Sequence, residues 1–170
     1  MISNPVKELE SIRGKKYKIP LQDLDGTMNL NENHALSGNL FEIELDLIID
    51  EKNIFKIVLS NDKGEEYEIG YDGTNQQFFS NRMKAGKADF SEVFANAVHI
   101  APRIRKDSLL KLHLYIDIAS AELFADNGEV VMTDIFFPEN GFSNISLKSE
   151  GKVEIQSGTI YELSSVWEEK

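Results

Sequence analysis

"LYIDIASAELFADNGEVVMTDIFFPE", residues 114–139, is the stretch whose reading decides the fold. Its residues alternate with a period of two, the signature of a strand with one buried face. With Ala119 and Ser120 as the loop, the first two segments close into a hairpin. One face then collects Leu112, Leu114, Ile116, Ile118, Ala121, Leu123 and Ala125. The other collects His113, Tyr115, Asp117, Glu122, Phe124 and Asp126. A one-residue slip would mix the two sets, so alternation fixes the faces. Asn127–Gly128 supplies the residues favoured in a type I′ turn, leading into a third strand.

In that register Asp117 lies opposite Glu122 and Tyr115 opposite Phe124. Like charges opposed across an antiparallel pair cost roughly 0.2–1 kcal/mol, so an offsetting partner is expected. One reading has both acids solvated or bound to backbone N–H groups at the hairpin end. A second has them accept the hydroxyls of a sugar ring resting on Tyr115 and Phe124. A third is catalytic, since cross-strand carboxylates approach the roughly 5–5.5 Å separation of a retaining glycosidase. A flat strand pair offers no cleft to exclude water, which disfavours the third. Arg82, in "FFSNRMKAG", is a candidate to neutralise Asp117 or Glu122 and to donate to ligand hydroxyls.

Outward from the hairpin the period of two persists. Phe41, Ile43, Leu45 and Leu47 alternate with Glu42, Glu44 and Asp46, predicting a strand with one face in water. Phe55, Ile57 and Leu59, and then Tyr67, Ile69 and Tyr71, repeat the pattern. "DEKN", "NDKGE" and "DGTN" between them are turn sequences. Further strands are expected at 109–117, 121–126, 129–136, 142–148, 152–156 and 159–167. Many short strands, each with one wet face, predict an all-β protein of two antiparallel sheets packed as a sandwich. Near the N-terminus, Asn4 as cap, Pro5 in the first turn and Gly14 as terminator predict a short helix. The chain thus divides into a linker and short helix over 1–14 and a single β-sandwich domain over 15–170.

The sequence has 170 residues, room for one domain with a sizeable core. Its net charge of −11 repels phosphate backbones and anionic lipid, so neither nucleic acid nor membrane is an expected partner. It has no cysteine, which excludes disulfides and thiolate chemistry. "MISNPVKELESIRGKK" contains no apolar run of signal-peptide length, so no leader is expected within it; the compartment stays open. In "DLDGTMNLNEN", Asp23, Asp25, Asn29 and Asn31 are oxygen donors but depart from EF-hand spacing, and read as a polar loop. His34, His99 and His113 share no ligand spacing, and Ser120 lacks the surroundings of a nucleophile. Trp167 reads as core packing. No metal, cofactor or catalytic residue is assigned.

The residues 114–138 also resemble the signature near the end of glycoside hydrolase family 32 enzymes, the invertases, inulinases and levanases. That signature, D-x-S-S-V-E-x-F-x-N-D-G followed by a threonine and I-F-P, is matched by Asp117, Ser120, Glu122, Phe124, Gly128, Thr133 and Phe137–Pro138. Ile118, Ala119 and Ala121 depart from it. Upstream, Tyr71–Asp72, Phe79, Arg82, Gly86 and Phe90 correspond, and "NPVKELESIR" resembles the linker between that family's catalytic propeller and its sandwich. The family's N-D-P-N-like, R-D-P and Glu-Cys catalytic motifs are absent from this sequence. The resemblance implies a concanavalin A-like jelly roll that packs on and stabilises a catalytic β-propeller and binds fructose units of a fructan. The alternative is an independent fructan-binding module. The candidate carbohydrate-binding residues are Tyr71, Arg82, Tyr115, Asp117, Glu122 and Phe124.

Overall fold

A computed structural model describes residues 2–34, 36 and 38–165. Eleven antiparallel strands form one continuous hydrogen-bonded sheet that folds back on itself around a single core. In chain order they are β1 (Arg13–Lys18), β2 (Asp23–Asn29), β3 (Phe41–Ile49), β4 (Ile54–Ser60), β5 (Glu66–Asp72), β6 (Gln77–Lys84), β7 (His99–Pro102), β8 (Leu109–Ile116), β9 (Ser120–Ala125), β10 (Val130–Ile135) and β11 (Asn144–Leu163). The spatial order is β10-β9-β8-β3-β11-β4-β5-β6-β7, with β1 and β2 also paired to β11. The expected all-β sandwich is therefore present, and the bent strand β11 joins its two layers.

The stretch from 142 to 167, expected as three strands, contains this one strand of 20 residues. Its first half, Asn144–Glu150, pairs with β4, and its second half, from Val153, pairs with β3. Residues 149–151 fall between two of the expected strands, but Gly151, at φ +85°, makes a bulge that bends a continuous strand from one layer into the other. Trp167 lies outside the described residues.

The alternating apolar sets of β3, β4, β5 and β8 turn inward. Phe41, Ile43, Leu45 and Leu47 of β3 meet Phe55, Ile57 and Leu59 of β4, Tyr67 and Ile69 of β5, and Leu110, Leu112 and Leu114 of β8 in one core. Burying each such side chain is worth roughly 1.5–3 kcal/mol before the entropic cost of ordering the chain.

The free edges of the two layers meet at a seam. Asp134 on β10, 3% exposed, accepts from the Tyr67 hydroxyl at 3.0 Å and lies 2.7 Å from His99 Nδ1 on β7. Arg82 Nη1 donates to the Ile135 carbonyl at 3.0 Å beside them. The sandwich is thereby nearly closed into a barrel, which protects edges that would otherwise invite pairing with another chain.

Two local expectations are corrected. The short N-terminal helix is present as a 3₁₀ helix, Lys7–Ile12, but Val6 and not Asn4 holds its N-cap position, with no side-chain cap; Asn4 and Pro5 precede it. Gly14 does not end a helix but lies in β1, against the backbone of Glu162. A short α-helix, α1 (Leu30–Asn33), follows β2.

The hairpin keeps its two faces but not its register. Tyr115 pairs with Glu122 and His113 with Phe124, while the Asp117 N–H donates to the Ser120 carbonyl at 2.8 Å. The loop is thus Ile118–Ala119, two residues out of the expected register, a slip that preserves side-chain parity. It separates the two carboxylates that the sequence reading placed face to face, removing the like-charge opposition. Ile118, expected inside, sits at the loop tip and is 59% exposed.

Candidate functional site

The outer face of β9, β8 and β3 carries the polar and aromatic residues singled out above, but it is not open. Residues 2–12 run across it as a strap. The Ser3 N–H donates to the Gly128 carbonyl at one end, and the Ser164 N–H donates to the Ile12 carbonyl at the other. Grooves remain on both sides. One, of about 270 Å³, lies among Asn4, Pro5, Glu44, His113 and Phe124. The other, of about 240 Å³, is lined by Leu9, Ile12, Tyr115, Asp117, Ser120 and Glu122.

Tyr115, Asp117 and Glu122 therefore share one concavity, with different hydrogen-bonding states. Asp117 is exposed and accepts at 2.7 Å from the N–H of Ile118. Glu122 is half-buried and accepts from Thr133 Oγ1 at 3.4 Å. Tyr115 presents its ring to the groove but commits its hydroxyl to Glu42 at 2.9 Å. Phe124 is 8% exposed, its ring edge-on to Tyr115, so it packs on the neighbouring groove and offers no open platform here.

The other two candidates lie elsewhere. Tyr71 is buried in β5 with the Arg103 guanidinium 5.2 Å from its ring centroid. Arg82 stacks on Phe94 at 4.2 Å and bonds to Ile135; its hydrogen-bond partner is neither Asp117 nor Glu122. The expectation that Arg82 joins the hairpin carboxylates is corrected on that geometry.

Beneath the strap lies a cluster that sequence patterning missed. Glu42, expected in water, is fully buried. Arg13 grips it through Nε at 2.6 Å and Nη2 at 2.5 Å, and reaches Glu44 at 3.0 Å. His113 donates through Nε2 to Glu42 at 2.6 Å, since an ionised carboxylate only accepts. Burial pushes the Glu42 carboxyl up, but the hydrogen bonds from Arg13, His113 and Tyr115 outweigh it and hold the group down at about 2. Burial first, and then the neighbouring Glu42 carboxylate, push the Tyr115 hydroxyl above the usual phenol range.

Glu42, Glu44 and His113 offer ligand atoms within 4.8 Å of one another, enough to suggest a divalent cation. Arg13 Nη2, however, already bonds to both carboxylates, so the arrangement fits a cluster whose positive charge is the guanidinium. The stretch 23–33, expected as a polar loop, is instead strand β2 followed by α1. Asn29 caps Asn31, Asn31 bonds to Ser143 and Ile145, and Asp23 pairs with Lys152. His99 belongs to the seam, and the ring of His34 packs 5.2 Å from that of Tyr17.

The fold has counterparts in known proteins. Residues 8–162 match the sequence profile described as glycosyl hydrolases family 32 C terminal. The levanase of Bacillus subtilis is 30% identical over 98% of this chain, which covers 25% of that protein. The extracellular exo-inulinase of Aspergillus awamori is also 30% identical, over 98% of this chain and 32% of its own length. The crystal structure of the A. awamori exo-inulinase superposes with a TM-score of 0.80 at 26% identity, over 98% of this chain and 33% of that one. A sucrose-6-phosphate hydrolase from Lactobacillus gasseri shares the fold, with a TM-score of 0.73 at 20% identity. The chain thus spans a quarter to a third of the length of these two curated relatives. With nearly all of its described strands inside the matched region, it belongs to glycosyl hydrolase family 32, as the C-terminal β-sandwich domain of that family.

Proposed function

We propose that the domain is a non-catalytic accessory module of a fructan- or sucrose-cleaving glycoside hydrolase, which packs on a catalytic β-propeller and stabilises it. One observation carries this reading: the match runs almost end to end in this chain yet occupies only 25–32% of the levanase and exo-inulinase. The absence of cysteine and of the family's N-D-P-N-like and R-D-P motifs in this sequence agrees with it. The purified chain, incubated with levan, inulin and sucrose, is expected to release no fructose. Release above a heat-denatured control overturns the proposal.

A second reading, favoured by the groove beside the strap, is that the same domain binds fructose units. Tyr115 supplies an aromatic wall there, and Asp117 and Glu122 supply acceptors for ring hydroxyls. Calorimetric titration with levan and inulin tests it. Asp117→Asn with Glu122→Gln is expected to weaken binding at least tenfold, while Asp25→Asn, on the far strand β2, leaves it unchanged. Equal affinities in the two variants, or no heat with the unaltered chain, remove this reading and leave the accessory role intact.

A further inference from the structure

The loop between β6 and β7, together with Phe137 just after β10, carries an aromatic ridge that the groove and the core do not use. Phe90, Phe94 and Phe137 stack mutually, with ring centroids 4.8, 5.6 and 5.5 Å apart. Phe90 is nonetheless 57% exposed and Phe137 42%. Next to Phe94 in the chain, Val93 is 74% exposed. An exposed apolar cluster of this kind, on a domain of net charge −11, costs solvation free energy and marks an interaction surface.

The ridge is built rather than loose. Gly86 adopts φ +105°, and a Cβ there would lie 2.1 Å from the Phe137 carbonyl oxygen, so glycine lets the two backbones meet. The Lys87 N–H donates to that same carbonyl at 2.8 Å. The Arg82 guanidinium stacks 4.2 Å from the centre of the Phe94 ring, and its Nε–H is buried with no acceptor among the described residues. Fixing aromatic rings before contact lowers the entropic cost of docking.

We infer that the Phe90–Phe94–Phe137 ridge, with Arg82 beneath it, is the face by which this domain packs against the catalytic domain. The inference rests on the accessory role proposed above. What points to that occupant is length: about two thirds or more of each relative lies outside the region this chain matches, and a rigid pairing of two domains needs an apolar contact. The outer face of the hairpin is less suited, because the strap already covers it.

The test replaces the matched region of the B. subtilis levanase with this chain and follows thermal unfolding of the chimera by calorimetry, beside the isolated domain. The unaltered chimera is expected to unfold in one cooperative transition. Phe90→Ser with Phe137→Ser is expected to split it in two, the lower at the melting temperature of the isolated domain carrying the same substitutions. Ile100→Ser, on exposed β7, keeps the single transition. If the double variant also keeps one transition, the ridge is not the docking face, although the accessory role stands. Two independent transitions in the unaltered chimera overturn the docking reading itself, and the ridge with it.

Discussion

Replacing Glu42 with glutamine removes one charge from the centre of the cluster beneath the strap and leaves its shape unchanged. Glu42 is wholly buried, and three donors hold its carboxyl at about 2 against an ordinary value of 4.5. At about 1.4 kcal/mol per tenfold, that difference amounts to about 3 kcal/mol of folding stability at neutral pH. Because the folded-state value is the lower one, the contribution is complete above the unfolded-chain value of 4.5. It drains away as the pH falls towards 2. Glutamine imitates the protonated acid, so the variant lacks the contribution at every pH. For a domain of this size, ~3 kcal/mol corresponds to a fall of roughly 6–12 °C in Tm at pH 7. The gap between variant and parent should shrink by about half near pH 3. Far-UV circular dichroism against temperature and urea, at pH 7, 4 and 3, measures both quantities. A variant as stable as the parent at pH 7, or a gap that stays constant down to pH 3, refutes the argument that ionised Glu42 holds β1, β3 and β8 together.

Two other buried polar contacts give comparable tests. Arg103 and Asp126, with side chains 2% and 1% exposed, meet at 2.7 Å; Asp126→Asn should cost about 3–5 kcal/mol in urea unfolding by stranding the guanidinium, and adding Arg103→Met should restore part of it. At the seam, Asp134→Ala leaves the Tyr67 hydroxyl buried without its acceptor. A loss of roughly 1–3 kcal/mol is expected, with faster hydrogen exchange along β10 and β7 than along β3; uniform protection would contradict the seam's role in closing the barrel.

Side-chain parity was readable from the sequence, and register was not. In β3, β4 and β5 alternation alone identifies the core-facing residues, although Glu42, Val58 and Gly70 on the opposite face are buried as well. The hairpin shows the limit: a two-residue slip leaves every side chain on the same face, so hydrophobic pattern cannot distinguish the two registers. Glu42 reads as water-facing in sequence because its partners Arg13 and His113 lie 29 and 71 positions away, and only the strand order brings them together. Gly151 holds a positive φ, which bulge and turn both ask of glycine, so the sequence alone does not tell that β11 continues through it. Of the groove, Tyr115, Asp117 and Glu122 were legible. Leu9 and Ile12 opposite them were not, since nothing local shows that a strap crosses that face.

The bent strand β11 has a consequence for how the domain is made. Of the eleven strands it is the last to leave the ribosome, and β1, β2, β3 and β4 all hydrogen-bond to it. Until it emerges, nascent β3 and β4 each have an unpaired margin, and neither layer can be completed. Folding is thus a late, long-range event, of the kind that proceeds slowly and exposes apolar margins to chaperones or to neighbouring nascent chains. A polypeptide cut short before residue 144 would lack the spine of both halves and would be prone to aggregate.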